Sequence, residues 1–244
     1  MEVHVFDNSA GAGKAAAKAA GLAIKKAVER QTHSNIVLAT GNSQLHMLEY
    51  LTKTKNIPWS KVSMFHLDEY LGMNETHPAS FRRYLKEHFV QKVSPMKNIF
   101  FILGDYHDPI QECDRLSELI SVNQIDVALI GIGENGHLAF NDPPADFDTT
   151  EPFLVVKLDD TCREQQLGEG WFSKLEEVPE KAISMSIYQI MLSKQLIVTV
   201  PDLRKARAVR DAVKGPLTNL CPASILRNHP LCSLFLDRDS ASLL

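Results

Sequence analysis

Val127-Ala-Leu-Ile-Gly131 and Leu196-Ile-Val-Thr-Val200 are short runs that stay apolar at successive positions. Side chains on a strand alternate between its two faces. A run that is apolar throughout therefore suits a strand covered by helices on both sides. Similar strand signals recur on either side of these two, at Val3–Phe6, Asn35–Thr40, Val62–Leu67, Asn98–Ile102, Asp126–Gly131, Phe153–Leu158, Ala182–Met185, Leu196–Val200 and Ser233–Leu236. Between them the pattern predicts helices over Ala10–Arg30, Ser43–Lys55, Ala79–Val90, Pro109–Ser121 and Leu203–Val213. Leu45, Leu48 and Leu51 have helical spacing, and Pro78 suits a first turn just before the third helix. This alternation predicts an α/β fold: a doubly wound, mainly parallel sheet with helices on both faces, Rossmann-like. No Gly/Ser linker, repeat or low-complexity tract interrupts it, so a single domain over residues 1–244 is the simpler expectation.

Composition narrows the function classes. The chain is 44% hydrophobic with a net charge of −4 and scattered lysines and arginines. It therefore lacks the concentrated basic surface that nucleic acid needs. No apolar stretch approaches the roughly 18 residues that would span a membrane. The opening Met-Glu-Val-His-Val-Phe-Asp-Asn alternates like a strand and lacks the basic start of a signal peptide. Cys113, Cys162, Cys221 and Cys232 are far apart and form no CxxC pair, which favours reduced thiols and a cytoplasmic protein.

Ligands of such a sheet sit beyond the carboxyl ends of its strands. Three strands end in chemically capable residues: Thr40-Gly-Asn-Ser-Gln44, His66-Leu-Asp-Glu-Tyr70, and Gly131 through Pro143. Gly131-Ile-Gly-Glu-Asn-Gly136 matches a dinucleotide fingerprint in letters only. Pro143-Pro144 stop the long helix that would hold a pyrophosphate, and no acid closes a second strand about 20 residues on. Gly11-Ala-Gly13-Lys14 lacks the first glycine of a phosphate loop, and Ala15 stands where Ser or Thr would hold magnesium.

What remains is acid–base chemistry on a small anion, with no metal, cofactor or covalent nucleophile expected. His137 follows the glycine-rich turn, with Asn135 before it and Asp142 after it, and a carboxylate near a histidine fixes its tautomer and raises its basicity. Asp68 and Glu69 close a mostly buried strand, so one of them should face a cleft, where shielding would raise its pKa toward that of a general base. The Thr40–Gln44 turn offers hydroxyls and backbone amides to a phosphate. A cation from Lys205, Arg204, Arg207 or Arg210 could join it, and spacing alone does not choose among the four.

Ala39-Thr-Gly-Asn-Ser43, Phe65-His-Leu-Asp-Glu-Tyr-Leu-Gly72, His77-Pro-Ala-Ser-Phe81, Gly131-Ile-Gly-Glu-Asn-Gly-His137 and Phe140-Asn-Asp-Pro143 together resemble the glucosamine-6-phosphate deaminases, a superfamily shared with 6-phosphogluconolactonase. The resemblance runs to about Leu236. It implies conversion of glucosamine 6-phosphate and water to fructose 6-phosphate and ammonia without a cofactor. It assigns Asp68 to the proton shift between C2 and C1, His137 to ring opening, and Asn135 and Asp142 to tuning that histidine. It matches Lys205 and the Thr40 turn to the phosphate. The expected substrate contacts are thus Thr40, Gly41, Asn42, Ser43, Glu69, Gly136 and Lys205.

There are departures from the family pattern. Many members carry Glu at the position of Asp142 and some carry Asp at Asn135. The arginine usually offered to the phosphate between Asp160 and Trp171 is displaced here to Arg163. No allosteric amino-sugar-phosphate site is evident after Pro143, so activation at such a site is not expected. Two other readings differ in residues. Lactonases usually place arginine after the acid pair and small hydroxyl residues after the histidine, where this chain has Tyr70 and Leu138-Ala-Phe-Asn141. A sugar-phosphate-binding regulator that has lost the reaction would need neither Asp68 nor His137. The partner expected is a small sugar phosphate; whether copies form a homo-oligomer is left open.

Overall fold

The computed structural model describes residues 1–244. The first half contains β1 (Glu2–Phe6), α1 (Ser9–Gln31), β2 (Ser34–Leu38), α2 (Leu45–Thr52), β3 (Val62–His66), β4 (Asp68–Tyr70), α3 (Phe81–Leu85), α4 (Gln91–Val93), β5 (Asn98–Phe100) and α5 (Pro109–Ser121). The second contains β6 (Val127–Ile130), β7 (Phe153–Lys157), α6 (Asp160–Gly168), β8 (Lys181–Met185), α7 (Ile187–Met191), β9 (Gln195–Val200), α8 (Ala206–Lys214) and β10 (Cys232–Asp237).

Seven strands form one parallel sheet in the order β1-β10-β9-β6-β2-β3-β5. The chain builds outward from β2 to β3 and β5 on one side, and from β6 to β9 and β10 on the other. Strand order therefore reverses between β2 and β6, and a crevice opens beyond their carboxyl ends. The period-two alternation seen in the sequence divides the core. Ile36, Leu38, Met64, Val127 and Leu129 face α1 and α2, where they meet Ala20, Ile24, Met47 and Leu51. Val37, Phe65, Ala128, Ile130 and Val198 face the other way, toward Leu116 of α5 and Val209 of α8. Truncating one of these buried aliphatic side chains to alanine would cost about 2–5 kcal/mol.

The false phosphate loop has a packing explanation. Gly13 lies inside α1, and a Cβ there would stand 2.9 Å from the Met47 backbone nitrogen. Its glycine lets α1 and α2 touch, while Lys14 is exposed.

Expectation and structure part in several places. Phe153–Leu158 and Ala182–Met185 are strands, but β7 and β8 pair antiparallel in a separate three-stranded sheet, order β4-β8-β7. Its third strand, β4, is too short to show periodicity. The helix expected from Ala79 starts at Phe81, because the Ser80 side chain caps it by accepting from the Arg83 amide. Pro78 lies outside that helix, which passes through a π-turn at Lys86–Val90 into α4. A 3-10 turn at Asn42–Gln44 precedes α2, another at Leu203–Lys205 precedes α8, and α6 and α7 are additional helices.

Leu67 joins the two sheets. Its amide donates to Leu38 O of the large sheet at 3.3 Å, and its carbonyl accepts from the Met185 amide of the small one at 2.9 Å. Asp68, the next residue, is thereby placed at the bend between them. No helix is long and apolar enough to cross a membrane.

Candidate active site

A cleft lies at the strand-order reversal, and Thr40, Gly41, Ser43, Asp68, His137 and Lys205 all line it. Three strand ends far apart in sequence thus meet there.

Asp68 and Glu69 are successive residues of β4, so their side chains leave on opposite faces. Asp68 faces the cleft. It is buried, and its Oδ1 has no hydrogen-bond partner. Burial, and then the charge of Glu69, push its pKa up to about 8. Glu69 turns away, which corrects its expected role as a substrate contact. Its Oε1 accepts from the Tyr70 and Phe81 amides at 3.0 and 3.2 Å. Its Oε2 accepts from Ser80 Oγ and the Arg82 amide, each at 2.9 Å. Glu69 thus holds the N-terminus of α3 against β4. Burial raises its pKa to about 7 against the opposing pull of those donors.

The glycines of the 131–136 segment serve the histidine. A Cβ on Gly133 would collide with the His137 ring, so only glycine lets the ring lie across that turn. Gly136 has φ +86°, a left-handed conformation suited to glycine. It does not line the cleft; a Cβ there would meet Cys221 Sγ at 3.1 Å. Its expected role as a substrate contact is therefore corrected to that of a turn former. No helix follows His137: Leu138 and Asn141 form an isolated bridge, and Ala139 takes the strained φ of +52° where it lines the cleft.

Asn135 and Asp142 stand behind His137 and do not line the cleft. Asn135 Oδ1 accepts from the His137 amide at 3.0 Å, and its Nδ2 donates to Asp142 Oδ1 at 3.0 Å and Asp159 Oδ2 at 3.2 Å. Asp142 Oδ2 accepts from the Asp159 amide at 3.0 Å. His137 Nδ1 is 3.0 Å from Asp142 Oδ1, although the ring N–H is not aligned with the oxygen. The contact is therefore one of charge more than of a well-directed hydrogen bond. Burial alone would raise the Asp142 pKa, but His137, Asn135 and the Asp159 amide outweigh it and hold the carboxyl below its usual range. The shorter aspartate thus reaches the histidine.

The Thr40 turn is opened by Gly41 at φ +94°, whose carbonyl accepts from Tyr84 Oη at 2.8 Å. Asn42 is exposed at the mouth of the cleft, outside its lining. Lys205 is 5% exposed and lines the cleft, and burial lowers its pKa. Of the four cations in that stretch it is the one within the cleft. Arg204 sits at the rim, paired with Glu134 at 3.3 Å and Asp202 at 2.9 Å. Arg210 pairs with Asp211, and Arg207 is exposed. Arg163 points elsewhere, donating to Leu175 O and Val178 O.

Sequence reasoning missed α6, which closes one wall with Gln165, Gln166 and Glu169. Gln165 Oε1 accepts from the Glu134 amide at 2.8 Å, and Gln166 Oε1 accepts from Tyr70 Oη at 2.8 Å. Glu169 Oε2 reaches the Asn42 amide at 3.4 Å, next to the Thr40 turn. The helix is mostly polar, with only Cys162 and Leu167 packed into the core, so it had no continuous apolar stripe to signal it. The spacing of Gln165 and Glu169, four residues apart, was the only trace. Among titratable ligand types, His137, Asp142 and Cys162 also cluster, with donor atoms within 4.8 Å of one another.

The chain thus combines a doubly wound α/β fold with an acid and a histidine in one cleft at its strand-order reversal. The sequence profile described as glucosamine-6-phosphate isomerases/6-phosphogluconolactonase matches residues 7–233, and the chain belongs to that family. Named relatives include glucosamine-6-phosphate deaminases of Exiguobacterium sibiricum, 39% identical over 86% of this chain and 81% of that one, and of Lactobacillus delbrueckii subsp. bulgaricus, 31% identical over the full length of both. The solved structure of a monomeric glucosamine-6-phosphate deaminase superposes with a TM-score of 0.91 at 29% identity, covering 100% of each chain. A 6-phosphogluconolactonase from Shewanella baltica has a TM-score of 0.81 at 19% identity, covering 97% of each chain, and at that identity shows a shared fold alone.

Proposed function

We propose that this chain is an enzyme that converts glucosamine 6-phosphate and water to fructose 6-phosphate and ammonia. The observation that carries the proposal is the pairing, in one cleft, of Asp68, its carboxyl raised by burial to about 8, with a separate proton carrier, His137. An aldose-to-ketose shift needs both, plus an anchor that holds the sugar still. Thr40, Gly41, Ser43 and Lys205 supply the anchor by gripping the phosphate. Asn42 contributes from the rim.

His137 moves a proton to the ring oxygen as the pyranose opens. Asp68 takes the proton from C2 and returns it to C1. The amine gives a proton to the C1 oxygen as the C2–N bond becomes an imine, which water hydrolyses to the ketose and ammonia. Asn135 and Asp142 position His137. One domain carries the reaction, since both sheets contribute to the same cleft. A cytoplasmic setting accompanies it, supported by four free cysteines.

Incubation of the purified chain with glucosamine 6-phosphate should release ammonia and fructose 6-phosphate in equal amounts. Absence of ammonia from both glucosamine and galactosamine 6-phosphates would overturn the proposal.

A further inference from the structure

We propose that His137, Asp142 and Cys162 form a site for a thiophilic divalent cation, zinc by its ligand set, and that its occupation stops the reaction. The three donor atoms lie within 4.8 Å of one another, and His137 Nδ1 is 3.0 Å from Asp142 Oδ1. A tetrahedral zinc ion with bonds of about 2.0–2.3 Å separates its ligands by roughly 3.5 Å. The widest pair therefore needs to close by no more than roughly 1.3 Å to reach that spacing. One imidazole, one carboxylate and one thiolate make a mixed set that suits zinc, and the soft thiolate disfavours magnesium or calcium.

The second observation concerns the histidine itself. His137 is 7% exposed, and its Nδ1 is buried without a hydrogen-bond partner while directed toward Asp142. Asn135 and the Asp159 amide hold Asp142 in place, as outer contacts do for a ligating carboxylate. Cys162 is anchored on α6 by its amide, which donates to Asp159 Oδ1 at 2.6 Å. His137 lines the cleft, whereas Asp142 and Cys162 stand behind it, so a cation reaches the trio from the cleft. Three protein ligands leave a fourth position for water.

A cation on Nδ1 leaves the imidazole with its only remaining proton on Nε2 and no capacity to accept another. It also neutralises Asp142. Under the deaminase reading, on which only the inhibition rests, His137 can then no longer carry the ring-opening proton.

Cobalt(II) titrated into the metal-free chain reports binding without reference to activity. One equivalent should bring up a thiolate-to-cobalt charge-transfer band together with tetrahedral ligand-field bands. Cys162→Ser and Cys162→Ala should both lose the charge-transfer band, while Cys221→Ser keeps it. In the ammonia assay zinc should inhibit the wild type, and Cys162→Ser should need at least about tenfold more zinc with its basal rate retained. No band in the wild type, or an unchanged band in both Cys162 variants, overturns the site. A chain that shows the band but releases no ammonia keeps the site and loses the deaminase reading. Activity without the band does the reverse.

Discussion

The two sheets treat their polar groups differently. The large parallel sheet is covered on both faces, and the residues at its strand ends are tied down: His137 by Asn135, the Thr40 turn by Tyr84. The small antiparallel sheet places two adjacent acids in opposite situations. Glu69 is held by four donors, whereas Asp68 faces the cleft with one oxygen unpartnered. The large sheet thus supplies precise positions, and the small one supplies a reactive group that is costly to bury. A carboxylate left short of partners is poor for stability and good for proton transfer, as expected where function competes with folding.

The largest test of this contrast is Asp68→Asn. It should lower kcat for ammonia release by about 10³-fold, within the range for loss of a general base. The same variant should be more stable. Because the folded-state pKa is raised from 3.8 to about 8, the folded chain binds the proton more tightly than the unfolded chain. Stability is then lost as pH climbs through that window, and Asn removes the loss, on the order of 4 kcal/mol at pH 7 by urea unfolding. A destabilised Asp68→Asn would show that the acid serves the fold.

The pH profile tests the same group in the native chain. Asp68 must be ionised to act as a base, so kcat/KM should rise tenfold per pH unit below about 8 and level off above it. A profile flat from pH 6 to 8 would remove Asp68 as the base.

His137→Gln, on the large sheet's side, should slow turnover by about 10²-fold without changing stability as Asp68→Asn does. Equal rates in variant and wild type would show that ring opening needs no help from this residue. Glu69→Gln should do the opposite of Asp68→Asn. It weakens the grip on the α3 N-terminus and destabilises by about 1–3 kcal/mol, while the folded fraction keeps most of its kcat. The smallest effect expected is from Glu169→Gln. Removing a negative charge beside the phosphate turn should lower KM about threefold, by weakened like-charge repulsion at the surface, with kcat little changed.

Much of this was legible in the chain itself. The runs Val127-Ala-Leu-Ile and Leu196-Ile-Val-Thr-Val are central strands because a strand covered on both faces favours apolar side chains at successive positions, Thr199 being the one polar exception. The motifs around Asp68 and His137 announced acid–base chemistry because few structural reasons place such groups at strand ends. Other features were hidden for physical reasons. The three residues of β4 are too few to carry a period, and α6 shows no apolar stripe. The direction in which β7 and β8 pair depends on partners remote in sequence.

Residue types and their spacing by themselves determined the layered α/β architecture, the three reactive strand ends and the class of chemistry. Those follow from local alternation and from what each side chain can do. Only the tertiary structure decided which acid faces the cleft, which of four cations enters it and what the glycines are for. Asp68 and Glu69 are chemically alike, and the bend at Leu67 sends one toward the cleft and the other to the N-terminus of α3. Lys205 differs from Arg204 in being buried where the strand ends converge. Gly133 is glycine because a ring lies across it. These are outcomes of close packing between distant segments, and no local pattern encodes them.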